Sequence, residues 1–307
     1  MTTGNNIPAD QMTPDLVKLI RARENTYGAA KWRQGLFVSA SIILPVLSAL
    51  LGKCTDAKPF FAAAGLALLF LDVALLDRLQ RERVKRGAKL QEEFDTKVMK
   101  LPWNRFVSGD KVSPEDVREA SVTHLSPERE GEIQSWYENC IGDVPLHIGR
   151  LVCQRTNISY DQRLRRRYGG WLLSATTVAG GVLCLVALAM DPKLSQVILS
   201  FAVPFTPVLA WALRENRKQL DTAASLERLQ TEFQKVWAEA MAGADREQLE
   251  MRSRQLQDAI YQHRASAPLL FDWIYRCLRT KNEDEAHHAA QELVSEAQAT
   301  LASKATA

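Results

Sequence analysis

The chain lacks the spacings that announce common catalytic sites. There is no G-x-x-x-x-G-K-[ST], no H-E-x-x-H, no G-x-S-x-G and no glycine-rich dinucleotide fingerprint, and each of those fixes a phosphate, a zinc ion or a nucleophile by its spacing. Carboxylate pairs such as Glu92-Glu93, or Glu128 with Glu130, sit among other charges as solvated helix faces do. Catalysis is not expected. Cysteine is sparse: the five, at 54, 140, 153, 184 and 277, form no C-x-x-C and no ligand spacing with the five histidines. They read as packing residues of a reducing compartment, and neither a metal nor a cofactor is expected. An excess of one charge is missing too, since a net +3 over 307 residues is too small to point to DNA. Strand-like alternation is absent from the middle of the chain, and Met1 to Arg33 is too polar for a cleavable signal.

What the chain does have is long apolar runs. Gly169 to Met190 carries no charge and would make about 33 Å of helix at ~1.5 Å per residue, against a hydrocarbon core of about 30 Å. Asp191-Pro192-Lys193 turns the chain, and Leu194 to Leu213 returns as a second run. A weaker echo lies upstream, with Gly35 to Leu51 and Pro59 to Leu76 on either side of a short polar turn. The expected fold is therefore all-α: an integral membrane protein with four transmembrane helices in two hairpins plus helical cytoplasmic regions. The expected divisions are an N-terminal helix over 1–34, hairpin one over 35–76, a helical region over 77–168, hairpin two over 169–213 and a C-terminal helical region over 214–307.

Basic residues set the orientation. Lys31 and Arg33, the series Arg78 to Lys89, Arg163 to Arg167, and Arg214 to Lys218 flank the runs on one side, whereas the turns hold only Lys53, Lys58 and Lys193. The positive-inside rule then places both termini and the middle region in the cytoplasm of a bacterial inner-membrane, multi-pass protein. Outside the runs, helix starts are signalled by Thr13-Pro14-Asp15, Ser113-Pro114-Glu115, Ser126-Pro127-Glu128 and Asp245. Leu226, Leu229, Phe233, Val236 and Ala240 form a heptad stripe suited to a helical hairpin or to self-association. The apolar stretch Leu269 to Tyr275 is either the core of the cytoplasmic part or a segment lying on the membrane.

Within the apolar runs, Gly170, Ser174, Thr177, Gly181 and Cys184 place small residues on one face. That face suits packing within a hairpin, or contact between subunits around a pore. Pro204 and Pro207 predict a kink, and Asp72 is the ionisable residue inside a run. An intramembrane carboxylate faces protein or water, or reaches the basic edge at Arg78.

Two cytoplasmic stretches mix basic, polar and aromatic residues: Leu101-Pro102-Trp103-Asn104-Arg105, and Cys140 to Pro145 continuing through Cys153-Gln154-Arg155-Thr156-Asn157 to Tyr160-Asp161. With the paired apolar runs they resemble the SMODS-associated four-transmembrane effector family, found in bacterial antiphage operons beside cyclic-oligonucleotide synthases. The resemblance extends from the first predicted helix to the last. It implies an inner-membrane, pore-forming effector, a homo-oligomer in the lipid bilayer, which permeabilises the membrane on a cyclic di- or trinucleotide signal made by a neighbouring synthase. Such a ligand presents phosphates and flat bases, so it needs guanidinium donors and aromatic or guanidinium planes. Arg105 and Arg155 supply the first and Trp103 and Tyr160 the second, while Asn104, Asn157 and Asp161 are candidates for base edges. The alternative for those residues is structural: helix caps for Asn and Asp, and a bilayer-surface anchor for Trp103. Two other functions compete, a membrane-anchored scaffold using the C-terminal heptads and a small transporter using Asp72.

Overall fold

The computed structural model describes residues 5–50, 77–189 and 203–306, together with residues 60, 63, 64 and 67. Among the described residues all regular structure is helical: α1 (Ile7–Asp10), α2 (Pro14–Leu50), α3 (Asp77–Val98), α4 (Arg105–Ser108), α5 (Pro114–Ser121), α6 (Pro127–Gln134), a 3-10 turn (Asn139–Asp143), α7 (Leu146–Ala189), α8 (Val203–Ala242), α9 (Arg246–Ser266) and α10 (Asp272–Thr306). The starts follow local chemistry. Ser113 Oγ accepts from the Asp116 amide at 3.2 Å, Ser126 Oγ from the Arg129 amide at 3.3 Å, and Asp245 Oδ2 from the Glu247 amide at 3.0 Å. Each satisfies an N–H that the first helical turn leaves without a partner. Gly243 turns the chain between α8 and α9 at φ 96°, where a side chain would be strained.

The main core gathers Ile20 of α2, Phe94 of α3, Ile148 of α7, Phe233 of α8 and Ile260 of α9, all buried. Each such side chain contributes roughly 1.5–3 kcal/mol when fully buried. The heptad stripe of α8 is spent here, with Leu226, Phe233, Val236 and Ala240 buried and Leu229 packed against them. Close approach of α2 to α3 depends on Gly87, since a Cβ there would lie 2.9 Å from the Tyr27 ring. A smaller cluster joins Leu164, Tyr168 and Leu172 of α7 to Ala212 of α8 and Leu270, with the Trp211 and Phe271 rings tilted against each other beside it, centroids 6.2 Å apart. Leu269 packs with Ala30 and Val84. The start of the apolar stretch before α10 is thus core.

The expectation of four transmembrane helices in two hairpins is corrected. Among the described residues no helix is long and apolar enough to cross a membrane. The long helices are composite: α2, α7 and α8 each join a polar segment to an apolar one. The described apolar parts of α2 and α8, over 35–50 and 203–213, fall short of the ~20 residues a span needs. Between 59 and 76 only residues 60, 63, 64 and 67 are described, and Asp72, both turns and all of 194–202 lie outside the described residues. The boundaries expected at 34/35, 168/169 and 213/214 fall inside α2, α7 and α8, which continue through them.

Candidate ligand cleft and the buried network behind it

Helix α7 presents different chemistry on opposite faces. Asn157, Asp161 and Arg165 look inward; Arg155, Ser159 and Arg163, two residues earlier in each case and so ~200° around the axis, look toward α10.

Behind the inward face lies a network of buried charges. Asp95 of α3 accepts from Tyr137 Oη at 2.8 Å, from Arg264 Nη1 at 2.5 Å and from Gln257 Nε2 at 3.2 Å. Glu92, one turn earlier, accepts from Arg254 Nη2 at 2.6 Å and from Gln257 Nε2 at 2.8 Å. Burial pushes the Glu92 carboxyl up to about 7, against the opposing pull of Arg254. Asn157 Nδ2 joins by donating to Tyr137 Oη at 2.9 Å. Farther along α7, Asp161 accepts from Arg165 Nε at 2.9 Å and lies 2.8 Å from His263 Nε2. Burial would raise the Asp161 carboxyl, but Arg165 and His263 hold it well below the usual carboxylate range. Arg165 Nη1 reaches Gln219 Oε1 at 2.8 Å and the Pro268 carbonyl at 3.0 Å, tying α7 to α8 and to the segment before α10.

The other face opens into a partly open cleft lined by Arg155, Ser159, Tyr160 and Arg163 of α7 and by Asn282 and Glu285 of α10. Glu285 is shared, accepting from Arg163 Nη1 at 2.8 Å and Arg167 Nη2 at 2.6 Å. Arg167 also donates to Asn282 Oδ1. Arg155 makes one long contact, to Ser159 Oγ at 3.4 Å, and burial lowers its pKa, with Arg163 adding repulsion.

The sequence candidates are therefore divided. Arg155 and Tyr160 share the cleft, while Asn157 and Asp161 belong to the network. Trp103, Asn104 and Arg105 form a third group around α4 and α9. Asn104 caps α4, accepting from the Phe106 amide at 3.1 Å, and donates to Asp258 Oδ2 at 2.8 Å. Trp103 Nε1 donates to the Gly109 carbonyl at 2.9 Å under the Lys111 ammonium, and exposed Arg105 pairs with Asp110 at 2.7 Å. Gly170, Ser174, Thr177 and Gly181 lie on the exposed side of α7. Its close approach to α8 runs instead along buried Gly169, Leu172 and Thr176, with Asn216 Oδ1 2.7 Å from where a Gly169 Cβ would stand. Pro204 and Pro207 stand at the described start of α8, their side chains outside the described set. Sequence reasoning passed over Asn282 and Glu285. The row Arg155, Ser159, Arg163 at i, i+4, i+8 was the available signal, and a partner on a helix more than a hundred residues away was not.

A model of the SMODS-associating 4TM effector domain matches residues 5–293. The chain belongs to that family. A protein of Bacillus cereus strain VD146 named as a probable CBASS effector molecule is 22% identical over 283 residues, which cover 90% of this effector and 93% of the relative. No solved structure matches the chain. The family is described by an effector role rather than by a catalytic activity, and its description names a 4TM domain. In this effector the described residues hold no helix of spanning length and apolarity.

Proposed function

We propose that the protein is a non-catalytic antiphage effector that responds to a cyclic di- or trinucleotide from a neighbouring synthase and, by rearranging or oligomerising, permeabilises the inner membrane. The match to the effector family over residues 5–293 carries this reading. The relative named as a probable CBASS effector, similar over nine-tenths of the chain, supports it. In this reading the packed helical body and both termini lie on the cytoplasmic side, as the placement of Arg78 to Lys89 and Arg163 to Arg167 supports. Membrane association draws support from large apolar side chains left uncovered on α2 and α7: Leu36 and Ile43 on the one, Val178, Val182 and Leu185 on the other, with Trp32 and Trp171 exposed at the polar ends of those segments. Large apolar side chains left uncovered in this way need lipid or another copy over them, and the exposed small-residue face of Gly170, Ser174, Thr177 and Gly181 suits a second helix.

The scaffold alternative needs the α8 heptad face free for a partner, and that face is buried in the core. The decisive measurement is dye release from inner-membrane-lipid vesicles containing the full-length protein, on addition of a panel of cyclic di- and trinucleotides. Release with one panel member and none without it is expected. Intact vesicles with every member, at verified protein incorporation, would overturn permeabilisation as the output.

A further inference from the structure

We propose that the cleft between α7 and α10 is a phosphodiester-binding subsite in which the Arg155 guanidinium and the Asn282 side-chain amide donate to the anionic oxygens. The inference rests on the reading of the chain as a nucleotide-responsive effector and adds a place and a chemistry to it. Arg155 is only partly exposed, and among the described residues no carboxylate lies within ion-pair distance of it; its single side-chain hydrogen bond is the 3.4 Å contact to Ser159. A guanidinium so placed lacks the counter-charge that buried cations ordinarily have, and an entering anion supplies it. Asn282 points to the same conclusion independently. It is 2% exposed and lines the cleft, its Oδ1 is occupied by Arg167, and that bond fixes which way the amide faces. The Nδ2 is left buried with no partner, a condition that native structures rarely tolerate without a ligand or water.

Charge agrees with this. Glu285 is the carboxylate lining the cleft, and Arg163 and Arg167 both hold it, so the addition of Arg155 leaves the cleft positive. The enclosed space is only about 10 Å³, far below the ~300–1,000 Å³ of sites that enclose a whole ligand, so the cleft takes an anionic oxygen at its open mouth with the rest of the molecule lying outside. Tyr160 on the lining offers a ring for an adjoining base. A phosphodiester occurs both in cyclic oligonucleotides and in phospholipid headgroups, and the same donors fit either.

Calorimetric titration of the full-length protein in detergent separates the sources, using a panel of cyclic di- and trinucleotides and, in parallel, glycerophosphoglycerol, the headgroup phosphodiester of phosphatidylglycerol. Two variants probe the donors. Arg155→Gln removes the guanidinium, and Asn282→Asp keeps an acceptor for Arg167 while turning a carboxylate toward the anion. A panel nucleotide should bind, with affinity lowered at least about tenfold in each variant, the scale of one hydrogen bond to a charged group. Lys235→Gln, in an exposed ion pair with Glu232 on α8, should leave it unchanged. If a nucleotide binds equally to wild type and both variants, the subsite is wrong and the nucleotide reading stands. If glycerophosphoglycerol binds and is lost in the variants while no nucleotide binds, the subsite stands with a lipid source and the nucleotide reading falls. If neither class binds, both fall.

Discussion

Two polar regions share helix α7, and they are finished differently. In the network, Glu92 and Asp95 each face a guanidinium, and Gln257 bridges the two carboxylates with hydrogen bonds of 2.8 and 3.2 Å. In the cleft, Arg155 has a 3.4 Å contact and Asn282 keeps a donor to spare. Arg254 Nε is also buried without a partner, so the difference lies in the charges: each network carboxylate has its guanidinium and holds helices in register, whereas Arg155 has no carboxylate among the described residues and is free to take an anion from outside. The contrast also separates what a substitution should cost: stability in the first region, ligand in the second.

The largest expected effect is at Asp95, whose loss leaves Arg264 without its carboxylate and the Tyr137 hydroxyl without an acceptor in the interior. Asp95→Ala should destabilise the protein by about 3–5 kcal/mol, the usual cost of leaving a buried charge alone. Chemical unfolding monitored by circular dichroism measures it. A loss below about 1 kcal/mol would mean that the network does not hold the helices together. Glu92 comes next. Its folded pKa of about 7 exceeds the ordinary 4.5 because burial favours the neutral form. Its contribution is therefore complete below the unfolded value and is lost as pH rises through about 7, amounting to about 3 kcal/mol at most. Glu92→Gln preserves an acceptor for Arg254 and cannot titrate. Between about pH 5 and pH 8 the wild type should lose stability relative to this variant, and parallel pH profiles would remove Glu92 from the account. The smallest effect is expected at Arg155, where Arg155→Gln should shift stability by no more than about 0.5 kcal/mol, because the change breaks no ion pair and only one long hydrogen bond. A loss above about 2 kcal/mol would place Arg155 with the network instead of the cleft.

Local chemistry was legible in the sequence. The caps at Ser113, Ser126 and Asp245 depend on neighbours two or three residues away, and the buried stripe from Leu226 to Ala240 depends on periodicity within one helix. The pairing of faces was not legible. Asp161 and Arg155 belong to one mixed stretch, but a rotation of the helix sends the first to His263 and the second to the α10 cleft, and no local pattern encodes which helix waits there. The network partners of Asp95 on α9 are 162 and 169 positions away in sequence. The apolar runs were visible as composition, whereas the described helices show them as extensions of polar ones rather than separate pieces.

That continuity makes α7 a keyed shaft. One unbroken helix from Leu146 to Ala189 carries the cleft at one end and the exposed apolar face at the other, so the angle between them is fixed by the number of residues in between. One residue inserted near Arg167 would turn everything beyond it by ~100°, bringing a different face of the apolar end into the position now held by Gly170 and Ser174. Seven residues would return it to within ~20° of its present phase. Length in this segment therefore sets an angle in a way that length in a surface loop does not, and insertions there should be tolerated in whole turns or not at all.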